Sequence, residues 1–97
     1  MFTFYKVAVN SDGWTATFMK DDKTETVEDK GALQLLLSKT NFLVGYDNYQ
    51  YDDKLLASIL RDMDPFETLQ KIKSKKRFTL RLENPISIDL KQELRDL

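Results

Sequence analysis

The sequence predicts an α+β fold, in which a mixed sheet begins with an antiparallel three-strand meander and continues through crossover helices. Three observations predict it. Residues 1–27 hold three β-rich runs separated by two polar turns. Two leucine-rich helical patterns follow, at residues 28–39 and 52–63, and a short apolar run at residues 41–46 lies between them. A strand that follows a crossover helix pairs in parallel, so the sheet is expected to be mixed.

The meander is predicted from its side chains and its turns. Aromatic and β-branched side chains dominate the first run and favour a buried strand, with Phe2, Phe4 and Trp14 in the core. Asp12 and Gly13 form an Asp-Gly turn, which readily supplies positive φ. A second polar turn at residues 21–23 closes the next hairpin. The predicted strands of the meander span residues 1–10, 14–19 and 24–27.

The rest of the chain alternates helical and extended patterns. Leucines recur at helical spacing in residues 28–39 and 52–63. Asp64, Pro65 and Glu67 together resemble a capping box and predict a short helix that ends near residue 73. The predicted later strands span residues 41–46, 78–82 and 86–90, and a final helix spans residues 91–97. Without repeats or a linker, residues 1–97 are expected to form one domain.

The composition excludes several kinds of chemistry. The chain has no Cys and no His, so disulfides, thiolate nucleophiles, zinc fingers and imidazole acid–base catalysis are excluded. A net charge of -1 argues against a protein that acts through bulk charge. No apolar run approaches the roughly 18 residues that a membrane span needs. We therefore expect a cytoplasmic protein that needs no cofactor and does not contact a membrane.

The most informative segment is FLVGYDNYQYDDKLL at residues 42–56. A strand ends in Gly-Tyr, a polar pair follows, and Tyr-Asp opens a helix. This resembles the second motif of DEDD-type 3′–5′ exonucleases, particularly those of phage DNA polymerases, with the pattern Gly-Tyr-Asn-Asn-x-x-Tyr-Asp-Asp. Trp14, the pair Asp64-Pro65 and the run at residues 88–90 recur in similar order. The resemblance implies an RNase H-like fold of βββαβαβα order.

The family's chemistry needs four carboxylates around two divalent cations that bridge the scissile phosphate. By the resemblance, Asp52 matches the acid of the second motif, and Asp47 stands where the family usually has Asn. The Asp-x-Glu of the first strand falls on Lys6 and Ala8, and the final motif would lie beyond Leu97. Three of the four acids are therefore missing. The resemblance implies a C-terminally truncated, catalytically inactive exonuclease domain with no metal site and no catalytic residue.

The remaining polar residues of this motif are candidates for contact with a partner. The partner-binding candidates are Asp47, Tyr49, Tyr51, Asp52 and Asp53. Tyrosine is a residue that protein interfaces favour. The alternative for the acids is a structural role at a helix N-terminus, where carboxylates interact favourably with the helix dipole. Lys6 is also expected to pair with Asp52 and so to replace the metal with an ion pair.

One basic run is the candidate for an alternative function. Its nucleic-acid-binding candidates are Lys71, Lys73, Lys75, Lys76 and Arg77. Such a run can track a phosphate backbone, with tyrosines offering stacking faces in a retained substrate groove. Otherwise the run is a solvated basic face.

These observations predict a catalytically inactive, exonuclease-like binding module. We expect it to be phage-encoded, to act in the host-cell cytoplasm and to inhibit or regulate a nuclease or nucleic-acid-processing complex by protein–protein binding. An anti-CRISPR-type role is included by analogy. A homodimer through the face left open by truncation is a further expectation. The alternatives are a nucleic-acid-binding module that uses the groove and, less favoured, a metal-dependent nuclease.

Overall fold

A computed structural model describes residues 2–95 of the chain. Met1, Asp96 and Leu97, which belong to the first predicted strand and the last predicted helix, lie outside the described residues. The strands are β1 Phe2–Asn10, β2 Gly13–Lys20, β3 Lys23–Val27, β4 Phe42–Gly45 and β5 Ile86–Asp89. The helices are α1 Lys30–Ser38, α2 Asp52–Leu60, α3 Pro65–Lys73 and α4 Leu90–Arg95.

The five strands form one mixed sheet in the order β3-β2-β1-β4-β5. Strands β1, β2 and β3 pair antiparallel through the two predicted turns. Strand β4 adds to β1 in parallel after α1, and β5 adds to β4 in parallel after α2 and α3. The predicted α+β class with a mixed sheet is confirmed.

The helices α1, α2 and α3 pack on one face of the sheet. Along β1 the side chains alternate, so that Tyr5 and Val7 are buried beneath the helices. Leucines and isoleucine of α1 and α2 complete the same core cluster, and leucine and isoleucine side chains of α3 pack against it. Trp14 is partly buried against this cluster, as its predicted core position requires.

The core prediction for the phenylalanines of β1 is wrong. Phe2 and Phe4 are 57% and 51% exposed, respectively. A strand alternates its side chains between two faces, and these two residues point away from the face that α1, α2 and α3 cover. An aromatic-rich run thus indicates a strand, but it does not show that both faces of the strand are covered.

The strand predicted at residues 78–82 is also wrong, because this segment has no regular secondary structure. It lies along α2. Phe78 is contacted by Lys54, whose Nζ lies 4.6 Å from the ring centroid, and the Arg81 carbonyl accepts a hydrogen bond from Arg61 at 3.1 Å. Leu82 packs against the core cluster. The alternating apolar residues of the segment at residues 78–82 therefore reflect packing of one side on a helix and not pairing in the sheet.

The helix and strand ends differ from the predictions by a few residues. Helix α2 ends at Leu60 and not at Met63, because Arg61 caps the helix and Asp62 takes a left-handed φ of 58°. Helix α1 begins at Lys30, since the side chain of Asp29 accepts a hydrogen bond from the Ala32 N–H at 2.8 Å. Strand β5 ends one residue early, at Asp89, where α4 begins.

Among residues 2–95, none of the helices is long and apolar enough to cross a membrane.

The end of β4 is closely packed. A Cβ added at Gly45 would lie 2.9 Å from Cγ and 3.1 Å from Oδ1 of Asn48, a fully buried side chain. At Gly13, by contrast, nothing lies within 4 Å of the added Cβ. Glycine at position 45 therefore allows the loop after β4 to fold back against the strand.

We predict that Gly45→Ala lowers the free energy of unfolding by about 1–3 kcal/mol, because Asn48 has no room to move. Gly13→Ala is the matched control and should change it by less than about 0.5 kcal/mol. Urea denaturation of both variants measures the difference. Equal effects of the two substitutions would contradict the packing described for Gly45.

Candidate functional site

The site begins at the loop that joins β4 to α2. Asp89, at the end of β5, pairs in register with Gly45 at the end of β4. Its carboxylate accepts the backbone N–H groups of Asp47 at 2.8 Å, Tyr49 at 3.1 Å and Lys91 at 3.0 Å. Asp89 is fully buried. One carboxylate therefore fixes the loop and the first turn of α4 together, and charge-assisted hydrogen bonds of this kind are the strong ones.

The conformation of the loop is unusual at Asp47, which has a positive φ of 59°. Aspartate and asparagine adopt this region more readily than most other residues. The Asp47 carboxylate forms an ion pair with Lys91, whose Nζ lies 3.6 Å away. Asp47 is half-buried, and Tyr49 and Tyr51 are exposed.

Asp52 is buried at the start of α2. One carboxylate oxygen accepts the backbone N–H of Val7 at 3.0 Å, and the other lies 3.8 Å from Nζ of Lys6. The expected ion pair between Lys6 and Asp52 is therefore present. Because the Lys6 side chain is 76% exposed, this pair adds little stability. Burial raises the pKa of Asp52, while the hydrogen bond from Val7 and the charge of Lys6 act in the opposite direction.

Asp53 is buried in a network that joins the strands β1 and β5 with the loop. Its carboxylate accepts hydrogen bonds from the hydroxyl of Tyr5, from Ser87 Oγ at 2.8 Å and from Asn48 Nδ2 at 3.5 Å. Burial raises the pKa of Asp53 despite these donors. Burial also raises the pKa of Tyr5, so the phenol stays protonated and its O–H donates a hydrogen bond to the carboxylate of Asp53.

Asn48 completes this network. Its Nδ2 donates to Ser87 Oγ at 2.7 Å and to the Ile88 carbonyl at 3.3 Å. Its Oδ1 is buried, without a hydrogen-bond partner among residues 2–95, and faces Gly45. The carboxylates of Asp52 and Asp53 thus accept hydrogen bonds from the protein's own backbone and side chains, and both residues are buried.

The acids do not form a metal centre within the described part of the chain. Among residues 2–95, no group of three or more Asp or Glu side chains is arranged so that it could hold a metal ion. On β1, Lys6 places an ammonium group beside Asp52. A positive charge at this point opposes metal binding.

A groove of about 690 Å³ opens beside the loop and is defined here as the basic groove. It brings together residues from four parts of the chain: the loop after β4, α2, the end of α3 with the segment after it, and α4. Its charged and aromatic lining residues are Asp47, Tyr51, Lys54, Lys75, Lys76, Arg77, Phe78 and Lys91. Five of these eight are cations, and one is an acid that is already paired. The groove is therefore electropositive.

Not every predicted residue reaches the basic groove. Lys71 and Lys73 are exposed in the last turn of α3, where lysines interact favourably with the helix dipole, and neither lines the groove. Tyr49 lines a neighbouring cavity of about 490 Å³ beside Asp53. Its hydroxyl donates to the Ser87 carbonyl at 3.0 Å.

Three residues of the site were missed by the sequence analysis. Asp89 holds the loop, and Lys54 and Lys91 line the basic groove. The signal for Asp89 and Lys91 was that the carboxyl ends of neighbouring parallel strands meet at one edge of a sheet, which places the end of β5 beside the loop after β4. Lys54 lies three residues after Tyr51, one helical turn away on the same side.

No family model matches the chain, and neither a curated protein nor a solved structure is significantly similar to it. Function is therefore argued below from the motif and the geometry.

We predict that Asp89→Asn lowers the free energy of unfolding by about 2 kcal/mol, because three N–H groups lose a charged acceptor. Asp22→Asn, at an exposed turn, is the matched control and should have almost no effect. Chemical denaturation measures both. If Asp89→Asn costs no more than the control, the carboxylate does not fix the loop.

A second prediction concerns pH. Because burial raises the pKa of Asp52, the folded chain binds more protons than the unfolded chain as the pH rises from about 4, the ordinary aspartate value. Stability contributed by this group therefore falls with rising pH through that window. Asn at position 52 does not titrate, and its oxygen can still accept the N–H of Val7.

The free energy of unfolding of Asp52→Asn, relative to the wild type, should thus rise between about pH 4 and pH 7. Denaturation curves at several pH values give this difference. Asp22→Asn should show no such trend. A relative stability that falls as the pH rises would mean that the folded protein lowers the pKa of Asp52.

Proposed function

We propose that this chain is a catalytically inactive, exonuclease-like binding module that binds single-stranded nucleic acid in its basic groove. The observation that carries the proposal is the convergence of five cations and two aromatic rings on this groove. The proposal has three parts: the relation to exonucleases, the absence of catalysis and the ligand.

The relation to exonucleases is supported by the position of the motif. Residues 42–56 span all of β4, the loop and the first half of α2, which is the strand–loop–helix context of the exonuclease motif. Three antiparallel strands followed by two parallel ones also agree with an RNase H-like fold. The chain differs in one respect, since two helices, α2 and α3, stand between β4 and β5 where the family's order has one.

The absence of catalysis is supported by the surroundings of Asp52. Lys6 lies beside it on β1, at the position that the resemblance gives to the first acid. The second carboxylate, Asp53, accepts hydrogen bonds from Tyr5, Ser87 and Asn48. Two-metal hydrolysis needs several free carboxylate oxygens around the ions. Here Oδ1 of Asp52 and Oδ1 of Asp53 accept hydrogen bonds from the protein, and Oδ2 of Asp52 faces the ammonium group of Lys6.

The ligand is proposed from the lining of the groove. Phosphate backbones bind where lysine and arginine cluster, and bases stack on exposed aromatic rings. Lys75, Lys76 and Arg77 supply three consecutive cations, and Tyr51 is 41% exposed at the same groove. Lys54 lies over Phe78, so its ammonium group is held at the groove wall.

A second candidate function is binding to a protein. It is favoured by three exposed tyrosines around Asp47, since Tyr46 is 62%, Tyr49 is 40% and Tyr51 is 41% exposed. Tyrosines are enriched at protein interfaces. In this form the module inhibits or regulates a nuclease or nucleic-acid-processing complex in the host cytoplasm, as a phage-encoded protein of the anti-CRISPR type would.

We predict that the Lys75→Ala/Lys76→Ala double variant binds a labelled single-stranded oligonucleotide at least about tenfold more weakly than the wild type. Removing two phosphate contacts should also reduce the slope of log K against log salt by about 1.4. The Lys71→Ala/Lys73→Ala variant is the matched control, because it removes equal charge from the same segment outside the groove. Fluorescence anisotropy at several salt concentrations measures both quantities.

Three outcomes would overturn parts of this proposal. If the wild type does not bind at low salt, or if the two double variants bind equally weakly, the groove is not the site. Degradation of the oligonucleotide that depends on Mg²⁺ or Mn²⁺ would contradict the absence of catalysis. A nuclease-resistant protein partner recovered from host lysate, and lost with Tyr49→Ala/Tyr51→Ala, would favour the second candidate.

A further inference from the structure

One face of the sheet carries a continuous apolar surface that the described helices α1, α2 and α3 do not cover. Ile86, Phe42 and Phe2 lie side by side in neighbouring strands, and Phe4 and Met19 form the next row. These five residues define the apolar patch. The rings of Phe2 and Phe42 are in contact, with centroids 5.5 Å apart.

The exposure of the apolar patch is large for a single folded chain. Phe2 is 57%, Phe4 51%, Met19 52% and Ile86 60% exposed. Together they present roughly 400 Å² of apolar surface, the size of the largest patches on monomeric proteins, which are often functional. Each Å² of apolar surface that is buried contributes about 25 cal/mol of favourable free energy, so burial of this area favours association.

The charges on this face favour a second copy as the occupant. Among the strand residues of residues 2–95 that point to this face, Lys6 is the only charged side chain. The strands of this face therefore offer a strongly charged partner one ion pair at most. The chain itself has a net charge of only -1, so two copies repel each other little.

The geometry of the face also allows pairing with itself. A two-fold interface uses the same patch on both subunits, and two sheets pack face to face about 10 Å apart. Lys6 follows the row of Phe4 and Met19, at one end of the patch. In a two-fold pair whose axis passes through the patch and runs across the strands, the two Lys6 side chains lie at opposite ends of the interface and do not meet.

The apolar patch supplies the centre of the dimer interface, and the polar row beyond it has to supply the remaining area. Pairing buries the roughly 400 Å² of each copy, or about 800 Å² of apolar surface, and standard interfaces bury about 1,200–2,000 Å² in total. The polar row beyond the patch, with Lys6, Thr17 and Thr26, supplies the rim. An apolar centre with a polar rim is the usual anatomy of such an interface.

We propose that the apolar patch is the contact surface of a homodimer in which two sheets pack face to face. This proposal does not rest on the basic groove, since none of the five patch residues lines it. The dimer would carry two basic grooves, so that a long strand could be bound at two points.

Sedimentation velocity of the purified chain over a range from about 1 to 100 µM tests this, with a dimer expected to dissociate in the micromolar range. Phe4→Glu places a charge at the centre of the patch and should weaken the dimer at least about tenfold. Ser11→Glu adds the same charge at the exposed turn between β1 and β2, at the far end of β1 from Phe2, and should leave the dimer unchanged. Circular dichroism checks that each variant is folded.

A second patch variant, Met19→Lys, keeps the test decisive if Phe4→Glu fails to fold. Met19 is 52% exposed and lies near the end of β2, so a lysine there is tolerated by the monomer. A wild type that remains monomeric at about 100 µM would overturn the proposal. So would a dimer that forms with unchanged affinity in folded patch variants, because it would use another surface.

Discussion

The candidate site depends on the buried carboxylate of Asp89. It accepts three backbone N–H groups, two from the loop after β4 and one from the first turn of α4. Parallel pairing of β4 with β5 brings this carboxylate level with Gly45, so the loop folds over the end of the sheet. The position of Asp47, Tyr49 and Lys91 follows from this arrangement. Without it, only the ion pair between Asp47 and Lys91 would join the loop to α4 within the described residues.

Two other buried carboxylates, those of Asp52 and Asp53, lie close to the loop. Asp52 and Asp53 are each buried, and each accepts a hydrogen bond from β1. Asp53 also accepts one from β5. A buried charge is tolerated when it is paired and hydrogen-bonded. Oxygens that accept such hydrogen bonds are less available to bind a metal ion. The cations meanwhile lie at the surface of the groove, where they remain available to an anionic ligand. Carboxylates directed inward and cations directed outward are the physical basis of the binding function proposed above.

The two surfaces proposed for binding have different physical origins. The basic groove is formed by segments that meet at the carboxyl ends of β4 and β5, and its attraction is electrostatic and weakened by salt. The apolar patch results from the one-sided packing of α1, α2 and α3, and its attraction is hydrophobic. Because the two surfaces share no residue, variants can separate the effects of association from those of ligand binding. Salt should therefore affect the two processes differently.

The sequence by itself determined the order of elements as far as α3 and the location of the motif. Turn residues, helical leucine spacing and caps are local signals, so the meander, α1, α2, α3 and β4 are readable from residue type. The strand predicted at residues 78–82 is absent, because alternation of apolar residues indicates that one side is buried and does not identify what covers that side. Tertiary structure alone decided that Phe2 and Phe4 are exposed, that Asp89 holds the loop and that Lys54 and Lys91 join Lys75. These facts depend on contacts between residues distant in the chain, and spacing along a single sequence does not report such contacts.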